Sequence, residues 1–464
     1  MTTASKLEER LLAEESRYCS YGDTAHYLKK PKIFSECDGS FLYDHSGRPY
    51  LDLQMWYSAV NLGYKNARIN DAVRNQLDHL PQLASQYLHR EKIELCASIA
   101  KQTQRSFQSK GRVHFNVGGS QAIEDSIKLM RRTTGKTHFF AFQGAYHGRT
   151  IGASEITSSY RYRKPYGHFS NRAQFIPYPY CFRCHYGKRF GSCKYYCVEQ
   201  FARLFETEYN SFVDTKTGEC EFAAFYIEPI QGTGGYIIPP PDYFRRLKRI
   251  LDHFKIYLVD DEMQMGFYRT GKFWGLEHFG IKPDVLVFGK SLTNGLNPLS
   301  GFWAKEELIN PSAFPPGATH STFSSNPMGT TAGLEVMKAL QDKGLADRIN
   351  SSGKKFVDML KKLQKKYKEI GDVTGIGLAI RIEICEKDGI TPNRRLTDRI
   401  FQAGLAGGLE YNGKKYGLVL DVGGYFKNAF TLAPSFYITD EEIGMAHKFL
   451  DELFGRFTAA KRRR

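Results

Sequence analysis

The chain has 464 residues, 41% of them hydrophobic, with 65 Lys and Arg against 49 Asp and Glu and a formal net charge of +16. That length predicts two domains around a sizeable core, and no apolar run reaches the roughly eighteen residues a membrane-spanning helix needs, which excludes a membrane partner. The basic residues are spread out, with small clusters at Lys361, Lys362, Lys365 and Lys366 and in the terminal KRRR, so they read as solvated helix faces and a frayed tail; no nucleic-acid partner is expected.

The start, MTTASKLEERLLAEESRY, carries charges throughout and has no apolar run followed by small residues. It does not read as a secretory signal, and the expected location is the cytoplasm. Further on, FNVGGSQAIEDSIKLMRR (115 to 132) predicts a strand, a glycine turn and an amphipathic helix with Ile123, Ile127 and Met130 on one face. Gly118 and Gly119 allow close approach to the backbone, and the free N–H groups of a helix start favour a phosphate.

Cys181, Cys184, Cys193 and Cys197 then form C-x-x-C, eight residues, C-x-x-x-C. Two short chelating turns of this kind can present four thiolates to one zinc ion. The alternative, and the expectation, is a Cys- and aromatic-rich surface insertion with free thiols and no metal. Nine cysteines, an odd number in a cytoplasmic protein, predict no disulfides.

FAAFYIEP (222 to 229) reads as a buried strand ending at a turn, and Asp242 is placed to cap a helix with Phe244, Leu247, Ile250, Leu251 and Phe254 on one face. IYLVDDE (256 to 262) and DVLVFGK (284 to 290) are two more strands. Strand, helix, strand, connection and strand predict a mostly parallel sheet covered by helices. Such sheets carry functional groups at the carboxyl ends of their strands, where Glu228, Asp261 and Lys290 all fall. Three ionisable groups on one edge of a buried sheet need a polar ligand to satisfy them, and a cofactor is the natural one. From 341 on, helix-forming sequence leads to GDVTGIGLAIRIEI (371 to 384), which reads as glycine turns running into an alternating strand. The predicted fold is α/β: an N-terminal segment 1–75 packing with the small domain, a large domain 76–340 and a small α+β domain 341–464.

Six motifs recur in order: VGGSQAIE (117 to 124), YHGRT (146 to 150), EPIQGTGG (228 to 235), DEMQMGFYRTG (261 to 271), FGKSLTNGL (288 to 296) and HSTFSSNP (320 to 327). On these the chain resembles the class-III, fold-type-I pyridoxal-phosphate-dependent aminotransferases over nearly its whole length, closest to the 4-aminobutyrate and ω-amino acid members. The Cys-rich insertion after YPY resembles one in some archaeal 4-aminobutyrate-type aminotransferases and related amino-acid racemases. The resemblance implies pyridoxal 5'-phosphate as cofactor, held as a Schiff base on Lys290. It implies Asp261 against the pyridine nitrogen, Gln264 at the phenolic oxygen and Met263 under the ring, where the family usually has valine. Tyr146 would stack on the other ring face, Gly119 and Ser120 would hold the phosphate, and Glu228 would join the cofactor site. Thr322 would reach the phosphate of a neighbouring subunit, which implies a homodimer with shared active sites.

Trp56 and Tyr57 resemble residues that line the substrate pocket, and Arg149 stands where 4-aminobutyrate aminotransferases meet a distal carboxylate. Two family positions depart: Thr233 replaces a glutamate and Thr431 an arginine, the pair that gates and binds an α-carboxylate. Losing both together avoids an unpaired buried charge. A neutral, partly aromatic pocket framed by Trp56, Tyr57 and Thr431 is therefore expected. The implied reaction moves an amino group between a primary amine, ω-amino acid or amino sugar and a 2-oxo acid, with glutamate a poor donor. A racemase or epimerase on the same scaffold is the alternative.

Overall fold

The structure, a computed structural model, describes residues 3–20, 22, 31–166, 169 and 172–458. The terminal KRRR lies outside the described residues. The centre is a seven-stranded sheet of β1 (Gly111–Asn116), β2 (His138–Phe142), β3 (Ala173–Ile176), β4 (Phe222–Ile227), β5 (Tyr257–Asp261), β6 (Val285–Phe288) and β7 (Ser300–Lys305). The spatial order is β1-β7-β6-β5-β4-β2-β3, with β7 antiparallel to both its neighbours and the strands from β6 to β3 parallel.

The apolar strands seen in the sequence have both faces covered, and strand periodicity sorts their side chains into two cores. Phe140, Phe142, Phe225, Ile227, Leu258, Leu286 and Phe288 face one core, shared with Phe244, Leu247 and Leu251 of helix Tyr243–His253. Phe139, Ala141, Ala224, Tyr226, Val259, Val285 and Val287 face the other, shared with Ile123, Ile127 and Met130 of helix Gly119–Thr134. Each large side chain buried this way contributes about 1.5–3 kcal/mol.

Asp242 occupies the predicted capping position, yet its side chain makes no bond to the helix amides and accepts instead from Arg245 Nη1 at 3.1 Å. Its φ of −95° and ψ of 2° are not the extended conformation that turns a cap side chain onto the first turn.

Beyond the large sheet, Pro49–Asp52 runs parallel to Lys414–Val419 in a five-stranded sheet that also holds Phe34–Asp38, Phe41–Asp44 and Leu409–Tyr411. A four-stranded antiparallel sheet joins Ile370–Ile376, Ala379–Ile384, Ala429–Leu432 and Asp421–Gly423. Helix Leu345–Lys366 buries Leu345, Ile349, Phe356, Leu360 and Leu363 and packs on the first of these strands, leaving Lys361, Lys362, Lys365 and Lys366 exposed. Where glycine turns running into an alternating strand are expected over 371–384, the chain forms a hairpin whose second arm, Ala379–Ile384, is buried at every position. Alternation fails there because Arg381 and Glu383 are internal and paired: Arg381 with Asp372, Glu383 with Arg183 and Tyr180 from the Cys-rich segment.

Candidate functional site

Three parallel strands deliver the site. Glu228 follows β4, Asp261 ends β5, and Lys290 stands just past β6, at the start of the short helix Lys290–Thr293. The turn into Lys290 is tight: a Cβ on Gly289 would lie 2.9 Å from Ser300 Cβ on β7 and 2.5 Å from Met263 Sδ, which glycine avoids. Lys290 itself has φ of 44°, a left-handed conformation that sets its side chain toward the strand ends. There it borders a cavity of about 520 Å³ lined by Gly118, Gly119, Ser120, Tyr146, His147, Glu228, Asp261, Met263 and Gln264, with Trp56 and Tyr57.

Hydrogen bonds fix the acids. Asp261 Oδ2 accepts from His147 Nδ1 at 2.8 Å and Oδ1 from the Met263 amide at 3.0 Å. Glu228 accepts from the Tyr146 amide at 2.9 Å and the Gly232 amide at 2.7 Å, tying the YHGRT loop to the turn after β4. Burial pushes Glu228 up to about 7, with Asp261's charge adding to the rise and His147 opposing it. Burial alone would push the His147 imidazole down, but the bond to Asp261 and its charge outweigh this and hold it above its ordinary value. Burial also pushes the Lys290 amine down to about 8, against the opposing pull of Asp261, Glu228 and Asp421.

A second recess of about 180 Å³ adjoins the first, sharing Tyr57, Tyr146, Thr233, Gln264 and Lys290 and adding Arg149, Asp421 and Lys427. The guanidinium of Arg149 lies 4.1 Å from the Tyr162 ring centroid. Thr431 is not in the lining: it is buried behind Asp421, its hydroxyl donating to Asp421 Oδ2 at 2.5 Å. The pocket expected to be neutral therefore holds three charged side chains.

Met55, Trp56, Tyr57 and Ser58 all have positive φ, between 42° and 66°, forming one turn of left-handed helix without a glycine. Each such residue costs roughly 1–2 kcal/mol, so the surroundings must hold the turn in place. Asp52 accepts from the Gln54 and Met55 amides at 2.7 and 2.9 Å. Arg269, wholly buried, donates to Ser58 Oγ at 2.9 Å, to Asn61 and to the carbonyls of Leu378 and Pro434.

Of the residues singled out in the sequence, Gly119, Ser120, Tyr146, Glu228, Asp261, Met263, Gln264, Lys290, Trp56 and Tyr57 meet at the main cavity and Arg149 at its annex. Thr322 does not: it is exposed and outside the lining. Two residues escape a reading of the sequence. His147 sits inside the YHGRT motif, and only the fold shows that it touches Asp261. Asp421 follows no motif and reaches the annex through the register that pairs it with Thr431.

Cys181, Cys184, Cys193 and Cys197 lie together around a separate small recess of about 20 Å³, all as free thiols. Among the described residues, no group of three or more His, Cys, Asp or Glu is arranged to hold a metal ion. No described helix is long and apolar enough to cross a membrane.

Residues 25–454 match the model of the family described as aminotransferase class-III. A leucine/methionine racemase of Thermococcus litoralis is 33% identical over 388 residues, 83% of this chain and 84% of that protein. A 4-aminobutyrate aminotransferase of Escherichia coli is 30% identical over 426 residues, 91% of this chain and 93% of that protein. A solved structure of a Bacillus anthracis aminotransferase superposes with a TM-score of 0.85 at 24% identity, covering 98% of this chain and all of that one (100%). The fold expected from the sequence is the fold observed.

Proposed function

Because the chain belongs to the class-III aminotransferase family, we propose that it transfers an amino group between a primary amine, ω-amino acid or amino sugar and a 2-oxo acid, using pyridoxal 5'-phosphate seated in the cavity around Lys290. The observation that carries this reading is the meeting of Lys290, Asp261 and an uncapped helix start in one cavity at the carboxyl edge of the sheet.

The residues present fit the cofactor. Gly118, Gly119 and Ser120 line the cavity at the start of helix Gly119–Thr134, whose first amides take no side-chain cap, a setting that favours a phosphate. Gln264 Oε1 and His147 Nε2 are buried with no partner among the described residues, as expected of polar atoms awaiting a ligand. When bound, the cofactor supplies an electron sink that makes the proton on the amine-bearing carbon removable.

The chain's own groups divide the work. Lys290 supplies the amine that anchors the cofactor, and then the base that takes and returns the substrate proton. With its amine near 8, a substantial fraction is neutral at ordinary pH, which an unperturbed lysine does not offer. Asp261 would hold the ring nitrogen of the bound cofactor in its protonated form, and His147 keeps that carboxylate aimed. Glu228 acts at one remove, by holding the Tyr146 loop. We also propose large and small units over 76–340 and 341–464, with the N-terminal segment joining the latter, and a homodimer in the cytoplasm. Trp56 and Leu296, 55% and 46% exposed at the cavity mouth, and the exposed Thr322 and Phe323 support the dimer, since a second copy would cover them.

The test is incubation of the purified protein with an amine panel and pyruvate: formation of alanine is the expected outcome. The racemase relative supports a second reading, proton return to the opposite face of the same carbon. Loss of optical activity from a single amino acid without alanine formation selects that reading instead.

A further inference from the structure

The annex beside Lys290 holds a carboxylate to which the site as described gives no task. Asp421 starts the short strand Asp421–Gly423 and faces the recess that Lys290, Tyr57, Gln264 and Arg149 also line. Its two oxygens are held by neutral donors: the Thr431 hydroxyl at 2.5 Å on Oδ2 and the Gln54 amide Nε2 at 3.4 Å on Oδ1. Neither Arg149 nor Lys427, which line the same recess, hydrogen-bonds it, and no basic side chain among the described residues forms an ion pair with it. The Tyr57 hydroxyl feels it: burial, then Asp421's charge, pushes that group up to about 12, while Arg149 opposes.

A carboxylate has about four acceptor positions, and this one has two in use. Neutral donors orient it without cancelling its charge, so it remains a directed anion in a partly enclosed recess. Placing Thr431 where the family resemblance implies an arginine removes the cation that would otherwise neutralise it. An ammonium group arriving beside Asp421 would gain a charge-assisted hydrogen bond that a carboxylate could not make there.

We propose that Asp421 is a specificity-determining residue that binds a second ammonium group on the amino donor, so that the preferred donors are diamines and diamino acids. This rests on the reading of the cavity as an aminotransferase site. Arg149, on the same recess, then receives the carboxylate of a diamino acid, which explains why charges of both signs line one small space.

Three donors of equal chain length separate the possibilities: 1,4-diaminobutane, 4-aminobutanoate and 1-aminobutane, each with pyruvate as acceptor. The quantity read is the ratio of kcat/KM for 1,4-diaminobutane to that for 4-aminobutanoate in the holoenzyme, with KM and kcat resolved. The expected result is a ratio above one that falls at least roughly tenfold in Asp421→Asn, mainly through KM. Asp421→Ser is made in parallel, so that one folded variant suffices, with cofactor absorbance and melting temperature as checks. An unchanged ratio in a folded, cofactor-loaded variant overturns the role of Asp421 while leaving the aminotransferase reading intact. If none of the three donors yields alanine while another amine of the panel does, this proposal falls and the aminotransferase reading stands; if no amine of the panel yields alanine, both fall.

Discussion

Two regions of this molecule gather chemically potent side chains, and they differ in how. At the carboxyl edge of the large sheet, His147, Glu228, Asp261 and Lys290 come from segments far apart in the chain, and the fold aims each at a shared cavity. In the segment 181–197, four cysteines are close in sequence and in space, yet burial pushes Cys181 and Cys197 up to about 11, so their thiols stay protonated. Proximity in sequence produced a cluster; convergence of strand ends produced directed, oppositely charged partners. A protonated thiol is a poor nucleophile, whereas a lysine pushed toward neutrality beside fixed carboxylates is primed for both anchoring and proton transfer.

The comparison breaks first at Lys290. Lys290→Ala is expected to abolish turnover and the absorbance of the anchored cofactor while leaving the circular dichroism spectrum of the fold; steady-state turnover in that variant would remove the lysine from its role. Asp261→Asn should lower kcat by several orders of magnitude, since a neutral amide cannot hold a ring proton, and a near-normal single-turnover rate would contradict that. A smaller loss is expected for His147→Leu, which deletes the 2.8 Å bond to Asp261. A bond to a charged group is worth about 1.5–3 kcal/mol, or roughly tenfold to a hundredfold in kcat/KM.

The pH dependence sharpens the electrostatic side. Lys290 has its amine lowered from the ordinary 10.5 to about 8, so the protonated form dominates below that value and the neutral form above it. Cofactor uptake by the stripped protein needs the neutral amine. Its rate should therefore rise with pH up to about 8 and then level off, and a rise continuing toward 10.5 would show the lysine to be unperturbed. The smallest effect is expected in the contrasting region: the double variant Cys181→Ser, Cys184→Ser should retain kcat, and metal analysis of the parent protein should find less than one zinc per chain. One zinc per chain, lost in the double variant, would make that segment a metal site after all.

Much of this architecture is legible in the sequence. Strands β4, β5 and β6 announce themselves as apolar runs ending in Glu228, Asp261 and Lys290, because a sheet covered on both faces needs continuous apolar sequence and polar groups can stand only at its edge. Relations between segments are what the sequence hides. Arg381 and Glu383 look like the solvent face of an alternating strand, and only the covering Tyr180 and Arg183 reveal that they are internal. Asp421 belongs to no motif, and its pairing with Thr431 is what carries it to the annex. Thr431 reads as part of the pocket wall, because a sequence position says nothing of which side of a neighbour a side chain occupies.

The left-handed turn from Met55 to Ser58 also limits how this enzyme can change. Its Trp56 and Tyr57 line the main cavity, yet their backbone lies in a region that β-branched residues occupy only at considerable cost and that glycine, asparagine and aspartate visit readily. A library randomised at these two positions will therefore be sampled unevenly: replacement by Asn or Gly keeps the wall in place, while Val, Ile or Thr unwinds it before any new donor is met. Arg269 sets the tolerance, since its bonds to Ser58 and Asn61 and to the carbonyls of Leu378 and Pro434 tie the turn to segments from both ends of the chain. The repertoire of donors open to descendants of this protein is thus filtered by backbone handedness as much as by pocket chemistry.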